Sequence, residues 1–410
     1  MTLPDTVAIP GFDPESPAWR EAFFQNPYPA YRALREAARP LWLPHARSES
    51  KSAGVWLFSR YADATAIFLD GESFSKDIAR VRTGDKRPWD DGHMLLRDGL
   101  DHARLRRMLM PWFSDASLRD FEPLVRGCVQ TLLAGLAGRG ECDLVADFAE
   151  PLPQLVMARF LGLPDEDLPT IRSSCLLFSP GFDSLLVGEP GNQEARIAGA
   201  ARFLAYLEDR LARADELPRE SLVRRLVALS DAGDLSTAEL IATLGLLIFA
   251  GHETTVGLMA SAALLLVSHP DQRALLASRP ELVDSAVEEM LRYESPEQRT
   301  TFRITVAPVT IGGHDLVPGD QVGVVIGAAN RDEAVFADAE RFDITRNPNP
   351  HLAFGIGAHN CLGKGLARLE ARVAIPLLLE AFPGLALAAE PQWRRNSFFR
   401  ALERLPVRLR

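Results

Sequence analysis

Cys361 is the residue whose type and position most clearly suggest chemistry. It lies in a glycine-rich stretch, Phe-Gly-Ile-Gly-Ala-His-Asn-Cys-Leu-Gly over residues 354–363, and a strongly helical run from Leu362 to Leu379 follows. The free amide groups and positive dipole end of that helix favour a thiolate, the form of cysteine that binds metal. A single thiolate on a rigid loop suits one axial bond to a haem iron, whereas zinc would need several Cys or His ligands. Taken alone, a packed core thiol is the simpler explanation.

A second candidate is an acid beside a hydroxyl in a long apolar segment. A capping box, Ser236 to Glu239, begins a helix, and its centre reads Ala-Gly-His-Glu-Thr-Thr over residues 250–255. Polar residues here could simply bond the previous turn or pack against a neighbour. Leu240 to Ser268 is also long enough to span a bilayer, but the polar centre would be heavily penalised there. We therefore predict a buried core helix of a large protein.

Basic residues at helical spacing form a third group. His102 and Arg106 are four apart and share one helical face, and a forked guanidinium matches a carboxylate well. The alternative is a solvated basic face, which we keep for Arg104 and Arg107. Glu289 and Arg292 are three apart, a spacing that is common on exposed helices and by itself a weak signal.

Together, these motifs resemble those of the cytochrome P450 family, the haem-thiolate monooxygenases. The resemblance covers roughly residues 20–410, with each motif in the expected order. It implies haem b with the Cys361 thiolate as its axial metal ligand. The further cofactor-binding residues that it implies are His102, Arg106, Ala250, Gly251, Arg303, Phe354, Gly355, His359 and Gly363.

Roles for the remaining motif residues are also implied by the resemblance. Glu253 and Thr254 would supply protons for the cleavage of dioxygen, and Gly251 would leave room for dioxygen against the helix. Glu289, Arg292 and Arg341 would form a buried triad that supports the haem loop. His102, Arg106, Arg303 and His359 would hold the haem propionates.

The fold implied is mainly α with a minor β region, the cytochrome P450 fold, in a single catalytic domain over residues 1–410. A break in the helical pattern from Cys175 to Gly191, followed by a helix from Gln193 to Ala214, is interpreted as a lid over the substrate chamber. Pro376 lies inside the last long helix and is expected to kink it.

Composition limits the partners and the compartment. The net charge of −10 and the sequence pI near 5.4 argue against nucleic acid as a partner. Four widely spaced cysteines are typical of reduced thiols. We find no signal-like pattern or membrane anchor before the globular part, and expect a cytoplasmic, bacterial, monomeric protein. Electrons would come from a separate ferredoxin and an NAD(P)H-dependent reductase, with O2 and a small molecule as substrates.

The remaining candidates concern the substrate pocket and the docking surface for the electron donor. The substrate-pocket candidates are Trp89, Phe178, Leu246, Phe249, Arg299, Thr301 and Phe398. If residues 299–303 are extended, Arg299 faces the chamber and would attract an acidic or phenolic substrate, unless it pairs with Glu297 or Glu294. A basic patch for an acidic ferredoxin is expected from Arg104, Arg107, Lys364 and Arg368.

Three other functions remain open. A peroxide-driven haem-thiolate enzyme or a non-catalytic partner-recruiting protein of the same fold would usually lack the acid–hydroxyl pair, so Glu253 and Thr254 count against both. A haem sensor is a different class, and turnover with added redox partners would separate it. Hydroxylation, epoxidation, dealkylation and coupling are all compatible with these motifs.

Overall fold

The structure is a computed structural model that describes residues 12–14, 16–37, 39–44, 54–77, 92–178 and 193–409. Within these ranges the side chains at 174–178 and 193–197 are not described. Trp89 and the Phe178 side chain, two of the pocket candidates, therefore lie outside the described residues.

Helices make up most of the described chain. In chain order they are α1 (Pro17–Gln25), α2 (Tyr28–Glu36), α3 (Tyr61–Leu69), α4 (Gly99–Leu109), α5 (Asp115–Leu136), α6 (Pro151–Leu161), α7 (Leu168–Phe178), α8 (Gln193–Ala212), α9 (Leu222–Asp231), α10 (Thr237–Ser268), α11 (Pro270–Ser278), α12 (Val283–Tyr293), α13 (Ile326–Ala329) and α14 (Lys364–Ala381). The prediction of a mainly α chain is confirmed.

The strands are short. They are β1 (Leu41–Pro44), β2 (Gly54–Phe58), β3 (Phe74–Ser75), β4 (Glu141–Asp143), β5 (Arg303–Thr305), β6 (Val309–Ile311), β7 (His314–Leu316), β8 (Gln321–Val324), β9 (Ala386–Leu387), β10 (Gln392–Trp393), β11 (Leu402–Arg404) and β12 (Pro406–Arg408). The largest sheet has the order β1-β2-β8-β5-β3, with only the β2–β8 pair parallel. Antiparallel pairing of β3 with β5 places residues near 75 beside residues near 304.

Helix α10 is the central element of the core. The predicted capping box is present, because the Ser236 side chain accepts from the Glu239 amide and the Glu239 carboxylate accepts from the Ser236 amide. By length and composition α10 could cross a membrane, but 61% of its most apolar window is buried inside the protein. It packs on α6, α12 and α14 within the main hydrophobic cluster. The prediction of a buried core helix is confirmed.

Helix α14 follows the cysteine loop and anchors it to the core. It packs against α5, α10 and α12, and its inner face buries Leu366, Leu369 and Val373. The helical assignment continues through Pro376 to Ala381. The cysteine loop therefore leads into a helix fixed on several sides.

Candidate functional site

The loop before α14 has the tight backbone that its glycines allow. Gly355 and Gly357 have φ angles of 59° and 77°, in the left-handed region that side chains rarely adopt. At Gly357 a Cβ atom would also lie 2.7 Å from the Phe68 carbonyl oxygen at the end of α3. The Cys361 amide donates to the Phe354 carbonyl oxygen at 2.8 Å, which closes the loop on itself. The loop thus holds the cysteine at a fixed position just before the helix.

Cys361 is exposed on the surface of the protein, but many protein atoms surround its thiol beyond the first contacts. Burial raises its pKa to about 11, and a hydrogen bond from the Gly363 backbone opposes the rise. The field of the helix start, which we predicted to favour the thiolate, is therefore not sufficient by itself to deprotonate Cys361. A metal that binds there would have to displace the proton. Cys128 and Cys142 are buried in the core, and no comparable loop surrounds either in the described chain.

Two histidines from distant parts of the chain meet beside this loop. The rings of His102, on α4, and His359 have centroids 4.1 Å apart. Asp98 accepts from His359, with 3.1 Å between Oδ1 and Nε2, and its other oxygen accepts from the Ser75 hydroxyl at 2.6 Å. Burial lowers the pKa of His102 to about 4. The two predicted propionate-binding histidines are thus brought together.

Arg303 lies in the same group of charges. Its guanidinium stacks on Phe68 at 4.9 Å from the ring centroid, and burial lowers its pKa to about 10. Lys76, which sequence reasoning missed, is buried next to it, with Nζ donating to the Thr301 side chain and carbonyl. In the sequence this lysine looks like the start of a polar loop, and only the β3–β5 pairing reveals its position.

Arg106 supports the loop that carries the cysteine. Its Nη1 donates to the Asn360 carbonyl oxygen at 2.8 Å, and its Nη2 contacts the Asn360 side chain. Asn360 directly precedes Cys361, so this arginine fixes the ligand loop to α4. A contact with a propionate remains a prediction for Arg106.

The acid and hydroxyl of α10 have different surroundings. Thr254 Oγ1 donates to the Ala250 carbonyl oxygen at 3.0 Å. Glu253 is fully buried and forms an ion pair with Arg394, with 3.1 Å between Oε2 and Nη1. His252, also buried, contacts Gln154 at 3.0 Å and lies 3.6 Å from the Glu253 carboxylate.

Gly251 lies where α10 approaches α6. A Cβ built at this glycine would lie 2.0 Å from the Met157 methyl group on α6. Room for dioxygen beside Gly251 stays a prediction. The glycine allows α10 and α6 to pack closely.

The predicted triad forms with one different member. Glu289 and Arg292 are fully buried and paired at 2.7 Å, and the second arginine on this carboxylate is Arg346, at 3.1 Å. Arg341 was predicted for this role, but 65% of its side chain is exposed, and its ion pair among the described residues is with Asp343, at 3.9 Å. Its backbone carbonyl instead accepts from Arg292 and Arg346. The backbone at Arg341 belongs to the network, while its side chain points to solvent.

Aromatic side chains connect the remaining pocket candidates. Phe249 on α10 contacts Phe399 with centroids 6.0 Å apart, and Phe398 lies 4.7 Å from Phe399. Arg299 is buried and its guanidinium lies 5.0 Å from the Phe398 ring. Leu246 is half-buried on α10.

The alternation used to orient Arg299 is not supported by the structure. Strand β5 begins at Arg303, so residues 299–302 precede it. The Thr301 hydroxyl accepts a hydrogen bond from the Lys76 ammonium. Arg299 also lowers the pKa of the nearby Glu297, although burial still raises that pKa to about 7. The proximity of Glu297 favours the alternative in which Arg299 pairs with a carboxylate of the protein and not with a substrate.

Comparisons with known proteins agree with these features. A family model described as Cytochrome P450 matches residues 203–394. The chain is 38% identical to cytochrome P450 107B1 of Saccharopolyspora erythraea, covering 96% of this chain and 98% of that protein. It is 39% identical to vitamin D(3) 25-hydroxylase of Pseudonocardia autotrophica, covering 94% of each.

A solved structure extends the agreement to the fold. The structure of P450BioI in complex with an acyl carrier protein ligated to hexadec-9Z-enoic acid matches with a TM-score of 0.84 at 34% identity, covering 95% of this chain and 100% of that chain. The predicted fold is confirmed. The chain belongs to the cytochrome P450 family and is a cytochrome P450 monooxygenase.

Proposed function

We propose that the chain acts as one catalytic domain, binds haem b through the Cys361 thiolate, and inserts one oxygen atom of O2 into a small organic substrate. Separate ferredoxin and reductase proteins supply the electrons. The observation that carries the proposal is the fully buried Glu253 beside Thr254 at the centre of α10. A fully buried carboxylate is costly in the core without a purpose, even when an arginine is paired with it.

The donor set fits haem b. One thiol stands on a fixed loop, while His102, His359 and Arg303 gather near one another, as two propionate groups would require. Gly357 allows the loop to approach α3 more closely than a side chain would permit. When bound, the haem would supply the dioxygen and electron-transfer chemistry that amino acids cannot perform.

The protein's own residues then orient the reactants and move protons. Because the Thr254 hydroxyl donates to the Ala250 carbonyl, its oxygen is left to accept a hydrogen bond from a group in the site. Arg394 balances the charge of buried Glu253 and is 21% exposed, so it links the acid to the protein surface. We assign Glu253 to proton supply and Thr254 to positioning of the proton acceptor.

The electron donor would dock on the face nearest the cysteine loop. Arg107 and Lys364 are exposed there, and within the described residues neither has an ion pair. Arg104 and Arg368 are already paired, with Glu239 and Glu288. We therefore reduce the predicted patch to Arg107 and Lys364.

Exposed apolar side chains complete this face. Leu69, Leu100 and Met110 are 61%, 86% and 53% exposed, and Leu69 lies against the Gly357 turn. Large apolar side chains rimmed by cations are typical of protein-binding surfaces. An acidic ferredoxin has the matching charge.

The proposed substrate is a small organic molecule, and an acidic or phenolic one is the specific version. One relative is named for vitamin D(3), and the solved relative contains a fatty acid on its carrier protein. Arg299 is the candidate partner for an anionic substrate group, since a second buried cation accompanies it in Arg303. The nearby Glu297 is the competing partner.

The test of the proposed function is the coupling between reductant and product. A compound library is first screened for spin-state shifts, and turnover of a positive compound is measured with ferredoxin and reductase. Thr254→Ala should bind haem and substrate normally but convert most reducing equivalents to hydrogen peroxide, whereas Thr254→Ser should largely restore product. Wild-type coupling in Thr254→Ala would contradict the assignment. Turnover with peroxide but none with ferredoxin, reductase and O2 would support the peroxide-driven alternative instead.

A further inference from the structure

Lys76 is a buried ammonium group that the proposed function does not use. It follows strand β3 and is 3% exposed, and its backbone amide donates to Asp98 Oδ2 at 2.9 Å. The ammonium donates to the Thr301 hydroxyl and, at 3.3 Å, to the Thr301 carbonyl oxygen. Both acceptors are uncharged. Burying a cation whose direct hydrogen-bond acceptors are neutral is expensive, so the site favours an anion in contact with the ammonium.

Within the described part of the chain, two carboxyls interact favourably with Lys76, those of Asp98 and Glu297. Among the described residues no carboxylate lies within ion-pair distance of its Nζ. Asp98 is nearby, but its oxygens already accept from Ser75, His359 and the Lys76 backbone. Glu297 is the other carboxyl that interacts with Lys76 electrostatically.

Nearby cationic groups add to the cost of burying Lys76. Antiparallel pairing of Ser75 with Ile304 places Lys76 beside Arg303, and the two charges repel each other. Asp98, which accepts from the Lys76 backbone amide, also accepts from His359 and so holds that ring in the same group. Burial and Arg303 lower the pKa of Lys76 to about 7. An anion placed between Lys76, Arg303 and His359 would relieve the repulsion among them and offset the cost of burial.

We propose that Lys76 binds one haem propionate, together with Arg303 and His359. The inference rests on the proposed function, because it takes haem b to be the cofactor. Arg303 and His359, both predicted propionate ligands, lie beside Lys76 through the β3–β5 pairing and through their shared neighbour Asp98, and Thr301 orients the ammonium. A propionate is the anion that enters this place whenever the cofactor is bound, whereas a substrate anion would leave it unbalanced between turnovers.

The first measurement is haem loss. Transfer of haem from the holoprotein to excess apomyoglobin is followed by absorbance for wild type, Lys76→Met and Lys76→Arg. A charge-assisted hydrogen bond predicts roughly ten- to hundredfold faster transfer from Lys76→Met, and a rate nearer wild type for Lys76→Arg. Equal rates for wild type and Lys76→Met would overturn the proposal.

The second measurement separates a propionate contact from a merely structural lysine. The proteins are stripped and reconstituted with haem or with haem dimethyl ester, whose propionates are uncharged. Wild type should hold haem more tightly than the ester, and Lys76→Met should lose about tenfold or more of that preference. An unchanged preference would overturn the proposal. Because haem and its ester are compared within wild type itself, the proposal is still tested if Lys76→Met folds poorly. Equal retention of haem and ester by wild type would also overturn the proposal.

The proposed function and this inference fail differently. If wild type lacks the red-shifted Soret band of the reduced carbon-monoxide complex, thiolate ligation by Cys361 is wrong. If that band is present while the ester preference is unaffected by Lys76→Met, only the role of Lys76 is wrong.

Discussion

Single residues at this site carry charges or acidic protons that the fold withdraws from water. The Glu253 carboxylate forms an ion pair with Arg394 at 3.1 Å, and the Lys76 ammonium donates a hydrogen bond to Thr301. Glu370, on α14, is a different case, since burial raises its pKa well above the ordinary value. Its Oε2 has no hydrogen-bond partner among the described residues. Such a group favours the neutral form.

Glu370 should make the stability of the protein depend on pH. Its pKa is higher in the folded than in the unfolded state, so its contribution is full below the unfolded pKa and is lost as pH rises towards the folded pKa. Glu370→Gln should match wild type near pH 4.5 and gain up to about 1.4 kcal/mol per pH unit above it.

Chemical unfolding of the two proteins across pH measures this difference. Glu380→Gln, which changes an exposed glutamate on the same helix, is the control and should track wild type. A constant difference between Glu370→Gln and wild type at every pH would contradict the shifted pKa.

Arg299 should decide whether substrate charge is recognised. If it binds an anionic substrate group, Arg299→Leu should weaken the spin-shift affinity of an acidic ligand by roughly 1.5–3 kcal/mol, the scale of a charged hydrogen bond. The methyl ester of that ligand should bind both proteins equally. Equal weakening of acid and ester would show that Arg299 only shapes the pocket beside Phe398.

At the scale of elements, the structure separates what local sequence encodes from what the path of the chain decides. The turns of the cysteine loop, the capping box of α10 and the helix that follows Cys361 were predictable, because neighbouring residues determine them. Lys76 was not, since its partner Thr301 is 225 positions away. The choice of Arg346 over Arg341 also depends on how the segment after Glu340 folds back on α12.

Arg346 and Arg341 give a matched test of how the segment after Glu340 supports Glu289. Arg346→Leu removes a partner of the fully buried Glu289 and should destabilise the holoprotein by about 3 kcal/mol and accelerate haem loss. Arg341→Leu changes an exposed side chain and should stay within about 0.5 kcal/mol of wild type. Denaturant unfolding and haem transfer measure both. Equal effects of the two substitutions would contradict the corrected triad.

On the scale of the whole molecule, a net charge of −10 coexists with cations gathered around one loop. The fold class was predictable because it resembles a family whose motifs occur in order along the whole chain. The docking face was only partly predictable, since ion pairs formed on folding occupy Arg104 and Arg368.

Electron transfer should therefore depend on Arg107 and Lys364. Replacing both with Gln should slow reduction by ferredoxin several-fold at low salt and flatten its salt dependence, because steering by opposite charges is screened by ions. Stopped-flow reduction measures the rate. Arg32→Gln with Arg202→Gln removes the same charge from exposed positions on α2 and α8 and should have little effect. An unchanged low-salt rate in the first double variant would exclude this face.

Ligation of haem iron by the Cys361 thiolate is tested most directly by the reduced carbon-monoxide difference spectrum of Cys361→Ser, recorded beside wild type and Cys128→Ser. Wild type and Cys128→Ser should show the red-shifted Soret band that thiolate ligation produces. Cys361→Ser should lose that band even where haem is retained. Persistence of the band in Cys361→Ser would contradict the assignment of Cys361 as the axial ligand.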